Sequence, residues 1–268
     1  MSALHVALPM YLAAPEAVQD LWTFLRQTWG AQGPEDVPQA VLWPHDLHAH
    51  WLAPELLLSQ TCGYPLTHSL QGQVQLVGAF QYDAPGCEGM YCRSVLITRD
   101  EHAHRAVEDF RDQRVAFNSV DSQSGYNALR ALVAPLALQG RFFGQALETS
   151  SHRLSVDAVR EGRADLAAID CVTWTLLQNY APQATQGLQA IGFSAPYPGL
   201  PLITALRTPP GQLQALRAGL KSLIHMPEAS STLAQLRICG FETPDLAVYQ
   251  RCIDMERSAM DSGYPHLA

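Results

Sequence analysis

The stretch DSQSGYNAL, residues 121–129, marks a change from a strand pattern to a helix pattern. Before it, RVAFNS (114–119) alternates apolar and polar residues with the two-residue period of a strand. After it, YNALRALVAPLAL is typical of a helix start. Unpaired N–H groups at a helix N-terminus attract anions. The hydroxyls of Ser122 and Ser124 would add hydrogen-bond donors, and Gly125 would let an anion come close to the backbone. The stretch therefore predicts an anion site that needs no lysine.

A simpler interpretation of the same stretch is that Ser122 or Ser124 caps a helix by accepting a hydrogen bond from a backbone N–H group. The segment alone favours this cap. The two interpretations predict different stabilities for a serine variant measured without ligand. Removing a capping hydroxyl lowers the free energy of unfolding, whereas removing a hydroxyl that faces a cleft does not.

The composition is that of an ordinary globular protein: 268 residues, 47% hydrophobic and 16% charged, enough for one large or two small domains. A formal net charge of -8, with 17 scattered Lys and Arg, argues against a nucleic-acid partner. No apolar run approaches the roughly 18 residues of a membrane span, so we expect no direct membrane insertion. The start, MSALHVALPMYLAAPE, lacks the pattern of an export signal. We therefore expect the chain as given in the cytoplasm, or in the periplasm if a signal lies upstream or was removed.

Strand and helix patterns alternate along the chain, which favours α/β layers with mostly parallel strands. Two groups of strand patterns repeat the same rhythm and indicate two α/β lobes. Segments 83–89 and 194–201 are rich in Pro and Gly and are interpreted as crossings between the lobes. Lobe one is expected to comprise residues 1–88 and 198–268, and lobe two residues 89–197. The first group, with a helix at 15–30, is LHVALPM (4–10), QAVLW (39–43), LLLSQ (56–60) and VQLVGAF (74–80); the second is YCRSVLITR (91–99), RVAFNS (114–119), QALETSS (145–151), ADLAAID (164–170) and LQAIGF (188–193).

Five segments, in their order and spacing, resemble the phosphate, phosphite and phosphonate substrate-binding proteins of ABC importers. The resemblance runs from about residue 4 to about residue 250. It implies the two-lobed type II periplasmic-binding fold, in which each lobe is a mostly parallel sheet flanked by helices and the lobes close on a ligand in the cleft between them. The segments are LLLSQTCGYPL, MYCRSVLITR, VAFNSVDSQSGYNALR, SSHRLSVDAVREGRADLAAIDCVTW and SAPYPGLPLIT.

The resemblance also implies a ligand pocket. In the family, a turn holds phosphoryl oxygens through hydroxyls and backbone amides, a histidine and a carboxylate complete the polar contacts, and two tyrosines supply donors and walls. The matching residues in this sequence are Ser122, Gln123, Ser124 and Gly125 for the turn, His152 and Asp170 for the polar contacts, and Tyr64 and Tyr91 for the tyrosines.

The histidine and the carboxylate make chemical sense without the family. His152 precedes the amphipathic run LSVDAVREG and so lies near a helix start, where a donor can meet an anion; a surface or capping role is the alternative. Asp170 ends the apolar strand ADLAAID, at the edge where α/β clefts bind ligands, and capping of the next helix is its alternative. A carboxylate beside a dianion is repulsive, so the ligand would carry an acidic proton or an ammonium group. Phosphite, hydrogen phosphate and phosphonates fit this requirement, whereas sulfate fits badly.

Histidines and cysteines offer two further candidate groups. The segment HDLHAH (45–50) contains three histidines and an aspartate that either bind a metal or form a solvated helix face, and the helix face is the favoured interpretation. The six cysteines include no CxxC pair, so the sequence predicts no zinc site of the usual spacing and implies no cofactor. Cys87 and Cys92 are close enough in sequence to form a disulfide if the chain is exported.

Three functions of different classes remain. The leading one is non-catalytic binding of a phosphonate-, phosphite- or phosphate-like oxyanion, either for an ABC importer, whose membrane component would be the partner, or as a cytoplasmic sensor. The second is a cytoplasmic enzyme on the same fold that acts on a small carboxylate, similar to chorismate dehydratase, in which Asp170 or His152 does acid and base work. The third is a protein-interaction module that has kept the fold and lost the ligand.

Overall fold

A computed structural model describes residues 4–29 and 37–268 of the chain. No helix within these ranges is both long and apolar enough to cross a membrane. The strands are β1 (His5–Ala7), β2 (Leu56–Gln60), β3 (Val74–Tyr82), β4 (Tyr91–Cys92), β5 (Ser94–Arg99), β6 (Arg114–Phe117), β7 (Gln145–Glu148), β8 (Leu166–Asp170), β9 (Leu188–Phe193), β10 (Tyr197–Pro198), β11 (Pro201–Ala205) and β12 (Ile238–Glu242). The α-helices are α1 (Pro15–Trp29), α2 (Leu47–Trp51), α3 (Gly63–Thr67), α4 (Ala128–Val133), α5 (His152–Arg160), α6 (Cys171–Tyr180), α7 (Pro182–Thr185), α8 (Pro210–Ile224), α9 (Ser230–Gln235) and α10 (Gln250–Asp261).

The chain divides into two compact units. The first unit contains the described residues up to Asp83 together with Glu88–Met90 and Gly199–Val248. The second unit contains Ala84–Cys87, Tyr91–Pro198 and Tyr249–Ala268. Each unit has its own five-stranded sheet, and the chain passes between units in the two segments rich in Pro and Gly and once more between Val248 and Tyr249.

The C-terminal segment differs from the expected division, because residues 249–268 belong to the second unit whereas the sequence pattern places 198–268 in lobe one. Hydrogen bonds and apolar burial explain the difference. The carbonyl oxygen of Ala268 accepts from the backbone N–H groups of Phe142 and Phe143, at 2.6 and 2.8 Å. Tyr264 and Leu267 are buried in the hydrophobic core that contains both phenylalanines. The segment therefore completes the core of the second unit.

The sheet of the first unit has the strand order β1–β2–β11–β3–β12. Helix α1 buries Val18, Leu21, Trp22 and Leu25 at the three- and four-residue spacing of one helix face, and it packs against α8. The expected strand QAVLW is wrong: residues 39–43 form no strand, although the N–H group of Leu42 donates to the carbonyl of Val6 at 2.7 Å. Prolines at positions 38 and 44, which have no backbone N–H group, flank this segment and restrict the extension of a strand beyond it.

The sheet of the second unit has the strand order β7–β6–β8–β5–β9. All five residues of β8 are buried, as its nearly continuous apolar sequence predicts for a central strand. Strand β6 runs parallel to β7 and β8, but β5 runs antiparallel to β8 and β9.

Both sheets are mixed, and the expected predominance of one strand direction is clearest in the second unit, where β7, β6, β8 and β9 share a direction and β5 opposes them. Among the described strands of the first unit, only β1 and β2 form a parallel pair, while β11 runs antiparallel to β2 and β3, and β12 runs antiparallel to β3. A strand–helix–strand crossover imposes a parallel direction only on strands that it connects within one sheet. Strands β5 and β11 instead enter their sheets where the chain has just changed units, and they run the opposite way.

Candidate functional site

The turn singled out in the sequence begins a helix in the second unit. The hydroxyl oxygen of Ser122 accepts a hydrogen bond from the N–H group of Gly125 at 3.0 Å. A helical turn with π geometry, Gln123–Asn127, follows and leads into α4. The capping interpretation is therefore correct for Ser122, and the cap uses one lone pair of its hydroxyl oxygen.

Ser124 makes a different contact. Its hydroxyl oxygen lies 2.8 Å from Nε2 of His152, the first residue of α5. Ser151 caps α5 by accepting from the N–H group of Leu154 at 3.2 Å, and this cap fixes the backbone from which the imidazole projects. Two residues that lie 28 positions apart in the sequence thus meet at two neighbouring helix starts.

The imidazole of His152 is neutral at physiological pH. Burial lowers its pKa to about 4, because the charged form would lose its hydration. Within the described part of the chain, Nδ1 of His152 and Oδ1 of Asn118 are buried and have no hydrogen-bond partner. A buried polar atom without a partner costs about 1–3 kcal/mol.

Gly125 lets the turn pack closely against Asn118, which follows β6. A Cβ atom at position 125 would lie 1.9 Å from Oδ1 of Asn118 and 3.2 Å from Cε1 of His152. A methyl group at position 125 would force Asn118 or the turn to shift. Glycine therefore permits this close approach.

Asp170 is buried at the end of β8, with 3% of its surface exposed. Its carboxylate accepts from the N–H group of Thr173 at 2.8 Å and so caps α6. Burial, with a smaller contribution from the neighbouring Cys171, raises the pKa of Asp170 to about 7. The residue is thus both the predicted helix cap and a carboxyl group that exchanges a proton near neutral pH.

Ser94 connects Asp170 to the turn. In the pairing of β5 with β8, Ser94 lies directly opposite Asp170. The Ser94 hydroxyl donates to the carbonyl oxygen of Ser124 at 2.8 Å and lies 2.9 Å from the hydroxyl of Tyr197. Burial, and then the charge of Asp170, raises the pKa of Tyr197 well above its ordinary value. We call the following residues the Ser124 cluster: Ser94, Asn118, Ser122, Ser124, Gly125, His152, Asp170 and Tyr197.

Sequence reasoning missed three members of the Ser124 cluster. Asn118 directly follows the buried strand β6, and a polar residue at that place is a recognisable signal in α/β proteins. Ser94 is a buried serine in the apolar strand β5, and Tyr197 lies in the segment interpreted only as a crossing. Neither position carries a signal before the strands are paired.

The other three predicted site residues have surroundings of their own. Gln123 is buried, its side-chain oxygen accepts from Asn127 at 2.9 Å, and its side-chain nitrogen donates to the sulfur of Met255 at 3.3 Å. Tyr91 lies on β4 and is 41% exposed. Tyr64 belongs to the first unit, where its ring stacks on His68 at a centroid distance of 3.8 Å. Ligand contacts by these three residues remain predictions.

The segment HDLHAH forms the helix α2. Asp46 caps it by accepting from the N–H group of Ala49 at 2.9 Å, and His45 and His48 are exposed, as expected of a solvated face. His50 is instead buried: its Nε2 lies 3.1 Å from the Ser59 hydroxyl, and burial lowers its pKa to about 4. The described residues include one group with metal-binding geometry, and it consists of cysteines elsewhere in the chain.

Comparisons with known proteins agree on family and fold. A family model described as ABC transporter, phosphonate, periplasmic substrate-binding protein matches residues 58–249. PhnD1 from Prochlorococcus marinus in complex with methylphosphonate is similar with a TM-score of 0.75 and 16% identity, over 97% of this chain and 98% of that chain. A binding protein component of an ABC phosphonate transporter from Pseudomonas aeruginosa gives a TM-score of 0.73 and 17% identity, over 97% and 87% of the two chains. XAC2383 from Xanthomonas citri bound to ATP gives a TM-score of 0.68 and 14% identity, over 98% of each chain. No curated protein sequence matches the chain. The type II periplasmic-binding fold expected from the sequence is thereby confirmed.

Proposed function

This chain belongs to the periplasmic substrate-binding proteins of ABC phosphonate transporters, and from that membership we propose that it binds a small phosphonate-, phosphite- or phosphate-like oxyanion without transforming it. The observation that carries the proposal is the pairing of Ser124 with His152 on the turn that matches the family's phosphoryl-binding turn. The ligand would accept hydrogen bonds from the Ser124 hydroxyl, from His152 and from backbone N–H groups of the turn.

The electrostatics of the Ser124 cluster support a protonated oxyanion as the ligand. No lysine or arginine belongs to the cluster as defined, and its histidine is neutral, so binding would rely on neutral hydrogen-bond donors. Asp170, with a pKa of about 7, would share one proton with the ligand: it donates as a carboxylic acid or accepts as a carboxylate. Hydrogen phosphonate, phosphite and phosphate can take part in that exchange, whereas sulfate carries no proton at neutral pH.

Two similar structures point to phosphoryl ligands. PhnD1 from Prochlorococcus marinus holds methylphosphonate, and XAC2383 from Xanthomonas citri holds ATP. Both ligands present tetrahedral phosphorus with several oxygens, which is the feature that hydroxyls and N–H groups at a helix start recognise. We propose that the ligand of this chain shares that group, with a substituent of undetermined size.

Isothermal titration of the full chain at pH 7 with methylphosphonate, phosphite, phosphate, ATP, sulfate and malate tests the ligand class. We expect heat from at least one phosphorus oxyanion and little from sulfate. Binding of malate alone would favour a carboxylate ligand, as in the alternative enzyme, and would refute the oxyanion proposal.

A pair of histidine variants locates the binding. His152→Ala should weaken oxyanion binding at least tenfold because it removes a direct contact. His50→Ala is the matched control, since His50 also lies beside a serine hydroxyl and also has a pKa lowered to about 4. Equal losses in both variants would mean that the effect is on folding and not on the site.

We further propose that the chain delivers its ligand to the membrane component of an importer, as the family description implies. The sensor role would require the protein to remain in the cytoplasm. Osmotic-shock fractionation of the native host separates the two: release with the periplasmic fraction supports delivery, and retention with the cytoplasmic fraction supports sensing.

A further inference from the structure

Three cysteines meet in the second unit although no CxxC spacing marks them. The Sγ atom of Cys87 lies 3.4 Å from that of Cys171 and 3.7 Å from that of Cys92, and all three sulfur atoms lie within 4.8 Å of one another. They come from three separate parts of the chain: the segment Ala84–Cys87, the end of β4 and the start of α6. We call Cys87, Cys92 and Cys171 the cysteine cluster.

The backbone before Cys87 is adapted to this meeting. Gly86 has a φ angle of +99°, a conformation that residues with a side chain rarely adopt. A Cβ atom at Gly86 would lie 3.1 Å from the Cβ atom of Cys171 and 2.8 Å from the ring of Phe193. A side chain at position 86 would therefore hold Cys87 away from Cys171. Glycine serves here to bring the thiols together.

Burial makes the cysteine cluster a distinct chemical environment. Cys92 and Cys171 are 2% and 1% exposed, and Cys87 is half-buried, so solvent reaches the cluster from the side of Cys87. None of the six cysteines, all of which lie in the described part of the chain, forms a disulfide. Three converging thiols that are open on one side allow an ion to enter.

From this geometry we propose that the cysteine cluster is a binding site for a soft monovalent cation of the copper(I) class, held by three thiolates. Sulfur ligands at about 2.3 Å from a metal ion lie about 3.8–4.0 Å from one another. The separations from Cys87 to Cys171 and from Cys87 to Cys92, 3.4 and 3.7 Å, reach that value when the sulfur atoms shift by a few tenths of an ångström. Soft thiolates select copper(I) over hard cations. On binding, the thiol protons leave to solvent.

Two competing uses of the cysteine cluster fit the geometry less well. A disulfide needs sulfurs about 2.05 Å apart, which would require the closest pair to approach by more than an ångström and would leave the third thiol without a role. A structural zinc ion takes four protein ligands. The group of metal-ligand atoms found among the described residues contains these three cysteines and no fourth ligand.

The test uses the full chain, purified and handled without oxygen. Copper(I) is titrated in the presence of bicinchoninate, a coloured competitor, and zinc(II) is titrated separately against a zinc-responsive chelator. We expect one equivalent of copper(I) to be withdrawn from bicinchoninate, X-ray absorption to show sulfur neighbours only, and zinc(II) to compete poorly. Failure to withdraw copper(I), or tighter binding of zinc(II) than of copper(I), would overturn the proposal.

Serine variants assign the ion to the cysteine cluster. Cys87→Ser and Cys171→Ser should each lower the affinity for copper(I) at least a hundredfold, whereas Cys239→Ser, which removes an exposed cysteine of the first unit, should retain one equivalent. Circular dichroism of each variant confirms folding, and Gly86→Ala offers an independent variant that keeps all six thiols and should still weaken binding. Equal copper(I) uptake in all variants, or a disulfide within the cysteine cluster in protein never exposed to air, would overturn the assignment.

Discussion

Ser122 and Ser124 carry the same hydroxyl two residues apart but have different roles. The Ser122 oxygen accepts from the N–H group of Gly125 and caps the turn, whereas the Ser124 oxygen lies 2.8 Å from Nε2 of His152. The Ser122 contact with a backbone N–H group stabilises the helix start, whereas the Ser124 contact joins the hydroxyl to a second side chain. The two serines therefore provide a matched pair for separating folding from binding.

We expect Ser124→Ala to weaken methylphosphonate binding by about 1.5–3 kcal/mol, because a hydrogen bond to a charged group is lost. Ser122→Ala should instead lower the free energy of unfolding of the empty protein by about 0.5–2 kcal/mol, the cost of a lost cap. Calorimetric titration and urea unfolding of both variants give the four values. Normal methylphosphonate affinity in the Ser124 variant would remove the main support for the binding site.

Asp170 links stability to pH. Its pKa is raised from 3.8 to about 7 because burial disfavours the carboxylate, so the folded state binds a proton that the unfolded state releases between these values. The stability contributed by the protonated group is full below about pH 4 and is lost as the pH rises to about 7. Above pH 7 the buried carboxylate destabilises the empty protein.

We therefore expect Asp170→Asn to stabilise the empty protein at pH 8 by up to about 4 kcal/mol, and to have little effect at pH 4. Asparagine caps a helix about as well as aspartate, so the cap to Thr173 is kept. Urea unfolding at the two pH values measures the difference. A variant that is less stable than the parent at pH 8 would show that the carboxylate is better solvated in the folded state than we infer.

Among the structural elements, the turn 122–127 is held in place by contacts with the sheet as well as by the hydrogen bond from Gly125 to Ser122 within the turn. Gly125 lies against Asn118, which follows β6, and Ser94 on β5 donates to the carbonyl of Ser124. The turn thus touches residues from two strands of the same sheet. Its position depends on sheet pairing as much as on helix capping.

We expect Gly125→Ala to cost about 1–3 kcal/mol of stability, because its Cβ atom would lie 1.9 Å from Oδ1 of Asn118 and force the turn to move. Gly211→Ala in the first turn of α8 is the control. No heavy atom lies within 4 Å of a Cβ built there, so the substitution should be neutral or stabilise by up to about 1 kcal/mol. Thermal unfolding compares the two variants, and equal stability would mean that Asn118 can move aside without cost.

The C-terminal segment behaves as an element of the second unit. The hydroxyl of Tyr264 donates to the carbonyl of Ala268 at 2.8 Å and accepts from its N–H group at 2.9 Å, and the ring of Tyr264 is fully buried. We expect Tyr264→Ala to cost about 3–5 kcal/mol and Tyr264→Phe only about 1 kcal/mol, because phenylalanine keeps the ring and loses the hydroxyl bonds. Urea unfolding tests this order; a Phe variant as unstable as the Ala variant would assign the stability to the hydrogen bonds.

At the scale of the whole molecule, a ligand that binds only the folded state stabilises it by mass action. A phosphorus oxyanion at one hundred times its Kd should add about 2.7 kcal/mol, which corresponds to a rise in Tm of roughly 5–10 °C. Sulfate at the same concentration should produce little change and serves as the control for ionic strength. A thermal scan in which sulfate and methylphosphonate raise the Tm equally would indicate a general salt effect without a specific site.

Local sequence patterns were enough to predict the fold class, the family and the places where strands become helices. Period-two and helical patterns, Pro- and Gly-rich crossings and ordered family segments are local signals, and they were sufficient to predict β2, β3, β5, β6, β8, β9 and helix α1. The same local signals predicted Ser122 as a cap or an anion ligand and Asp170 at the end of its strand.

Features that depend on contacts between residues distant in the sequence could be seen only in the tertiary structure. The mixed direction of the sheets and the membership of residues 249–268 in the second unit both follow from pairing and packing across the chain. The cysteine cluster joins positions up to 84 residues apart, and Ser94 enters the site only because β5 pairs with β8. Sequence periodicity reports which face of an element is apolar, but not which partner that face will meet.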